Sequence, residues 1–294
     1  MVRAADDANL DFEANGVLAD PERLAAEHRK YRSIVHDYAA APDRWAEAVP
    51  ELRDAWEKIK EKYAYQERDE PSPPADGGAW HGEGGRRLDA VQNEEIERGY
   101  ARIREVGERT IIPAVLSVEA EDLTRCLAGF DKRFKDEDRL KEKVADLLEP
   151  STELSAAEAL HAVSDAVRFT YTYSETRYAQ GASDDVERFK ARGFELDRLK
   201  NTWTSDQYKG INTQWLEPET GVRFEVQFHT QASFEAKELS HKAYERIRTI
   251  ADPSPETDRE TAELEGFQSR VNAMIPLPAD VNAIEDYRRE NRDA

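Results

Sequence analysis

The chain has 294 residues, a net charge of -20 and 39% hydrophobic residues, which is enough apolar content for a buried core and argues against disorder throughout. With 35% charged residues and a mean hydropathy of -0.83, no apolar run reaches the roughly 20 residues of a membrane span. The first residues, MVRAADDANL, lack the basic and apolar regions of a secretory signal, so the expected location is the cytoplasm, or export as part of a larger system. Cys126 is the single cysteine, which excludes an intrachain disulfide and a cysteine-cluster metal site.

In chain order, residues 21–64 read as two helices, the first carrying Leu24, Ile34, Val35 and Tyr38 and the second Trp45, Val49, Leu52, Trp56 and Ile59. Pro, Gly and charges crowd residues 68–87, the expected linker. Helical periodicity returns from Leu88 to Val106, and a short helix is expected over Val118–Leu127, with Cys126 as a small buried hydrophobe. Strand texture begins after residue 165, at Val167–Tyr173, Phe194–Trp203, Ile211–Leu216 and Val222–His229, with a helix over 184–192. Helices are then expected over 234–250, 255–273 and 281–291. The fold class is α+β, a small mixed β-sheet flanked by helices. Its expected division is a helical N-terminal region (1–67), the linker (68–87), one domain over 88–274 with its motif core at 120–250, and a C-terminal helix or tail (275–294).

Charge is unevenly spread. Residues 1–124 hold 17 Lys and Arg against 28 Asp and Glu, residues 125–250 hold 20 against 23, and residues 251–294 hold 5 against 11. The middle is therefore nearly balanced and has bunched cations, as a site for a small polyanion requires, while the overall charge argues against non-specific nucleic-acid binding.

Four stretches carry candidate chemistry. In RFKDEDRLKEK, a helix starting near Asp136 aligns Arg139 and Lys143 with Lys135 at its entrance and Arg133 just before it, while Leu140, Val144 and Leu147 form the buried stripe. Such cations suit a triphosphate; taken alone, the stretch also reads as a solvated helix face. In VRFEVQFHT, alternation puts Val222, Phe224, Val226 and Phe228 on one face and Arg223, Glu225, Gln227 and His229 on the other. Asp165 stands at the mouth of a strand that begins near Arg168, and carboxylates on neighbouring strands, here Asp165 and Glu225, suit Mg²⁺. In QYKGINT, Gly210 permits close backbone approach and Tyr208 offers a ring on which a purine can stack, beside Lys209 and Asn212.

In this order, these stretches resemble the synthetase domains of RelA/SpoT alarmone enzymes, with a nucleotidyltransferase-like fold. KNTW, YKGIN and FEVQFHT bring the chain nearest in wording to ATP nucleotide 3′-pyrophosphokinases and toxin-type small synthetases, over about 130 of the 294 residues. Arg139 stands where alarmone synthetases carry Ser, Asn212 where they carry His, and His229 where they carry Arg. The hydrolase half of the long enzymes is not evident, because His36-Asp37 lacks the other ligands of that metal site.

The resemblance implies Mg²⁺-dependent attack of an acceptor 3′-hydroxyl on the β-phosphorus of ATP. It implies Arg133, Lys135, Arg139 and Lys143 on the donor phosphates, Asp165 as metal ligand, and Glu225 as metal ligand and base. Tyr208, Lys209, Asn212, Gln227 and His229 would meet the purine acceptor, with Arg168, Glu238 and His241 in support. Alternatives are a (p)ppGpp synthetase, a toxin acting on the 3′ end of tRNA, and an inactive nucleotide-binding module. The N-terminal helices leave three roles open: neutralising the site, binding a partner, or joining a larger exported assembly.

Overall fold

The computed structural model describes residues 44–63, 78–82, 85–122, 124–148, 153–250 and 254–289. The first expected helix (Leu24 to Tyr38), the His36-Asp37 pair and most of the expected linker lie outside these residues. Among the described residues, no helix is long and apolar enough to cross a membrane.

The helices are α1 (Arg44–Tyr63), α2 (Ala90–Val106), α3 (Ile112–Ala120), α4 (Glu137–Leu147), α5 (Ala156–Ala162), α6 (Tyr178–Ala191), α7 (Gln231–Thr249) and α8 (Pro255–Ala273). A small hairpin pairs β1 (Trp80–His81) with β2 (Arg87–Leu88). The main sheet contains β3 (Arg125–Ala128), β4 (Arg168–Tyr173), β5 (Glu195–Asn201), β6 (Ile211–Leu216), β7 (Arg223–Thr230) and β8 (Tyr287–Arg288), in the order β3-β4-β7-β6-β5-β8. Strands β4 and β7 run parallel, and every other pairing among the described strands is antiparallel. The fold class is α+β with a mixed sheet, as the element pattern indicates.

One face of the sheet is built from the aromatic and β-branched positions of each strand. Phe169, Tyr171 and Tyr173 of β4 lie beside Phe224, Val226 and Phe228 of β7, all buried, and Val186 and Phe189 of α6 pack with them in one cluster. The Tyr171 hydroxyl donates to the Val115 carbonyl of α3 at 2.7 Å. Within this layer Arg125 and Asp185 form a fully buried ion pair at 3.1 Å, and Asp185 also accepts from the Tyr173 hydroxyl at 2.6 Å. Burial with this many partners fixes geometry more than it adds net stability.

Helix α1 is docked rather than separate: Trp56 packs on Phe267 of α8 at 5.5 Å, and the Trp45 indole donates to Glu235 of α7 at 2.8 Å. Three expectations change. Trp80–His81 and Arg87, placed in the linker, pair as a β-hairpin that ends on Leu88, expected to open the next helix, because Trp80 and Leu88 give this Gly-rich stretch apolar groups that bury against α2, α4 and α5. The helix expected over Val118–Leu127 ends at Ala120, and Cys126 and Leu127 lie on β3, where they pair with Thr172 and Tyr171. The helix expected over 281–291 is replaced by a short turn and β8. There the Asn201 side-chain amide donates to the carbonyls of Val281 (2.8 Å) and Ile284 (2.9 Å), capturing acceptors that a helix would use internally.

Candidate active site

The opposite face of the sheet is polar. Alternation along β7 turns Glu225, Gln227 and His229 away from the core. Their register partners are Arg168, Thr170 and Thr172 on β4, and Gln214 and Asn212 pair with Glu225 and Gln227 from β6. The sheet thereby gathers residues separated by more than 50 positions in the chain.

Helix α4 is placed against the mouth of this face by its own cap and by a short backbone bridge. The Asp136 carboxylate accepts from the Arg139 amide at 3.2 Å, and fully buried Leu140 and Val144 anchor the helix. Phe134 bridges Val167, with Lys135 N–H donating to Ala166 O at 3.0 Å and Arg168 N–H to Arg133 O at 2.8 Å. Lys135 and Lys143 then converge on Asp165, at 3.0 and 2.7 Å from its two oxygens. Asp165 lies in the turn before β4, not on the strand itself. Burial works to raise its pKa, but the two ammonium groups outweigh burial and hold the carboxyl at about 2.

The other two cations go elsewhere. Arg139 reaches across to Glu245 of α7, which also lies 3.1 Å from His241 Nε2. Burial pushes Glu245 upward, and hydrogen bonds from His241 and Arg139 bring it down to about 2. Arg133 lies 4.5 Å from the Phe130 ring and 3.3 Å from Glu108.

Burial raises the pKa of Glu225, Arg168 opposes that shift and the charge of Asp165 adds to it. The Gln227 amide donates to Glu225 at 3.1 Å, while Gln227 Oε1 is buried without a hydrogen-bond partner among the described residues. An acceptor left bare in this way costs about 1–3 kcal/mol until a donor or cation reaches it. No three His, Cys, Asp or Glu side chains among the described residues gather closely enough to hold a metal. The oxygens of Asp165, Glu225 and Gln227 nevertheless fit the hard-ligand chemistry of Mg²⁺, which takes one or two carboxylates and completes its shell with water and substrate phosphate.

At the far end of the face, the Tyr208 hydroxyl donates to Asn212 Oδ1 at 2.8 Å and accepts from His229 Nε2 at 2.8 Å. With its single proton spent on Asn212, the phenol requires Nε2 to carry hydrogen, so Nδ1 accepts from Ser233 Oγ at 2.9 Å. Burial and the neighbouring Lys237 cation keep His229 neutral. His229 is fully buried, behind the Tyr208 hydroxyl to which it is hydrogen-bonded. Gly210 makes this packing feasible, because a Cβ there would sit 2.8 Å from the imidazole. The close backbone approach expected at Gly210 is therefore toward the His229 ring. Lys209 donates to the Trp203 carbonyl at 2.8 Å and so braces its own loop.

Two further residues on α7, Lys237 and Glu245, stand beside those expected from the sequence. Lys237, His241 and Glu245 are spaced four apart and share one side of the helix. Lys237 lies 5.3 Å from the Phe234 ring with its side chain 14% exposed. Burial and Arg168 draw its pKa down to about 8, against the opposing pull of Glu238 and Glu225. Glu238, expected in support, points outward to Lys132 and Lys237 at 3.8 and 3.7 Å. The α4 spacing Lys135, Arg139, Lys143 has the same four-residue step, and matching the two stripes is the signal that could have found Lys237 and Glu245.

No protein-family model matches this chain, and no curated protein matches it. Among solved structures it is similar to a GTP pyrophosphokinase family protein from Streptococcus pneumoniae, at 16% identity over 62% of this chain and 90% of that chain, with a TM-score of 0.40. It is similar to small alarmone synthetase 1 from Bacillus subtilis bound to its product pppGpp, at 16% identity over 61% of this chain and 94% of that one, with a TM-score of 0.40. A third is small alarmone synthetase 2 from Bacillus subtilis, at 16% identity over 62% and 95%, with a TM-score of 0.35.

Exchanging Lys135 for alanine removes one of the two ammonium groups on Asp165. On the donor-phosphate role that the resemblance implies for Lys135, the expected result is a rise of about 10-fold or more in the KM for ATP, from the 1.5–3 kcal/mol of a charge-assisted hydrogen bond. Steady-state kinetics with varied ATP check this, and an unchanged KM would return α4 to a solvated surface.

Proposed function

We propose that the chain is a nucleotide 3′-pyrophosphokinase that moves the β,γ-pyrophosphate of ATP to the 3′-hydroxyl of an adenine nucleotide and releases AMP. The observation carrying this reading is the meeting of Asp165, held ionised between Lys135 and Lys143, with Glu225 on the same polar face. Phosphoryl-type transfer needs positioning and charge neutralisation more than covalent help from the protein, and this face offers both. Lys135 and Lys143 take the donor phosphates, and Arg139 joins them when it leaves Glu245. Glu225, whose pKa is raised by burial, accepts the proton of the attacking 3′-hydroxyl. Asp165 and Glu225 are the residues that would hold a Mg²⁺ ion, whose chemistry there would be charge neutralisation.

Acceptor choice belongs to the Tyr208, Asn212 and His229 chain. Tyr208 presents a ring that any purine can stack on, so discrimination falls to Asn212 and Gln227, whose amides can match the edge of one purine and leave the other unpaired. The adenine assignment draws on the resemblance of KNTW, YKGIN and FEVQFHT to ATP-accepting enzymes. A competition with equal AMP, ADP, ATP, GDP and GTP and excess labelled ATP, read by mass spectrometry, tests it. Adenosine products such as pppApp are expected to dominate; a majority of guanosine products would make the chain a (p)ppGpp synthetase. A tRNA acceptor included in the same mixture is expected to stay unmodified.

A further inference from the structure

A file of hydrogen bonds runs from the start of α7 to the polar face of the sheet, and its buried end is tied to the backbone. The Thr230 amide donates to Ser233 Oγ at 3.0 Å, and an amide N–H can only donate. The one proton of the Ser233 hydroxyl then has two acceptors in reach, His229 Nδ1 at 2.9 Å and the Thr230 carbonyl at 3.3 Å. The carbonyl lies beyond the roughly 2.5–3.0 Å of an O–H···O bond. As the N-cap of α7, Thr230 also gives that carbonyl to the first intrahelical bond. The proton therefore goes to Nδ1. A neutral imidazole with Nδ1 so occupied carries its hydrogen on Nε2, which donates to the Tyr208 hydroxyl at 2.8 Å, and the phenol donates to Asn212 Oδ1 at 2.8 Å. Ser233 and His229 are buried while Tyr208 and Asn212 are half-buried, so the buried end dictates what the open end presents. It presents the Asn212 NH2, which donates to no other group among the described residues. Gln227, with its bare Oε1, is the cross-strand partner of Asn212, and side chains so paired stand next to each other on one face.

We propose that Ser233 is a specificity-determining positioning residue: acting through His229 and Tyr208, it fixes the Asn212 amide with its NH2 toward the nucleotide base, next to the Gln227 oxygen. This rests on the pyrophosphokinase reading only for calling that nucleotide the acceptor. A donor next to an acceptor fits ring N1 and the 6-amino group of adenine, and equally O6 and N1–H of guanine. Without the Ser233 proton the file can run backward: Nδ1 takes the hydrogen, Tyr208 donates to Nε2, and Asn212 turns to give its NH2 to the phenol and its oxygen to the base. Two acceptors side by side still fit N1–H and the 2-amino group of guanine, but they leave adenine N1 facing an oxygen. Ser233 thus keeps the site open to adenine.

The test reads the imidazole and the base preference separately. Long-range ¹H–¹⁵N spectra of the full chain, with His229 assigned by its loss in His229→Gln, are expected to show the Nε2–H tautomer alone, and Ser233→Ala should populate Nδ1–H. Adenosine and guanosine are then titrated calorimetrically, with the donor site held full by α,β-methylene-ATP. The ratio of adenosine to guanosine affinity should fall about 10-fold in Ser233→Ala and recover in Ser233→Thr, which restores the hydroxyl. Asn212→Asp turns an oxygen toward the base whatever Ser233 does, so it should lower the ratio by a similar factor, and adding Ser233→Ala to it should lower the ratio no further. The assignment is overturned by Nδ1–H in the wild-type chain, by an unchanged ratio in either single variant, by an equal loss for both nucleosides, or by additive losses in the double variant. If Ser233→Ala does not fold, the wild-type tautomer and the Asn212→Asp ratio still decide. The expected tautomer and ratios in a chain that transfers nothing from labelled ATP would overturn the pyrophosphokinase reading and leave Ser233 in its role.

Discussion

Glu225→Gln is expected to lower pyrophosphate transfer by about 10²- to 10⁴-fold, the range that a positioned general base contributes, with the fold intact. Glutamine keeps the shape of the side chain and can still accept from the Gln227 amide, now at 3.1 Å from Glu225. It also removes a carboxyl whose pKa burial has raised, so ionisation at neutral pH no longer costs desolvation. The thermal midpoint should therefore hold or rise slightly while turnover collapses. Under the proposed mechanism the base works only when deprotonated, so activity should fall as pH drops through the titration of Glu225, which burial shifts upward in the metal-free chain. Near-normal turnover by Glu225→Gln, measured as AMP release under saturating ATP, would remove Glu225 from the mechanism.

Asp165→Asn should be nearly as damaging, for a different reason. The carboxylate holds Lys135 and Lys143 at 3.0 and 2.7 Å, and its loss leaves two cations without the anion that positions them. Transfer is expected to fall about 100-fold or more, the kinetic equivalent of the several kcal/mol that positioned charge gives to a phosphoryl-type transition state. Stability changes too, and its sign follows from linkage. Asp165 is held at about 2, below the roughly 3.9 of an unfolded aspartate. Its contribution is present above about 3.9 and is lost as pH falls toward 2. The variant should therefore differ from the wild-type chain in denaturant midpoint at pH 7 and converge with it near pH 2. Equal midpoints at pH 7 would separate Asp165 from its two lysines.

Much of this site is legible in the sequence where one strong local rule governs. The period-2 pattern of β7 delivers Glu225, Gln227 and His229 to one face, and Asp136 caps α4 where the cation stripe begins. The rest depends on what meets across the fold. Lys237 and Glu245 look like ordinary helix-surface charges until Arg139 of α4 is seen opposite Glu245. Ser233 acquires its role only because Thr230, as the cap of α7, starts that helix beside the His229 ring. Strand β3 is hidden by spacing: Leu123, Cys126 and Leu127 mimic a helical stripe in the sequence, while Cys126 and Leu127 are held in a short strand by pairing with β4. Residues 281–291 have helix-forming composition, but the Asn201 amide claims their carbonyls first. Propensity yields to tertiary hydrogen bonding in such short segments.

The most direct test of the central claim follows both halves of the donor. ATP labelled separately in its adenine ring and its γ-phosphate is incubated with the chain, Mg²⁺ and an adenine nucleotide acceptor. Attack at the β-phosphorus predicts ring label in AMP and γ label in a 3′-pyrophosphorylated acceptor, formed one to one. Ring label in ADP with γ label in free phosphate, or no AMP at all, would contradict it.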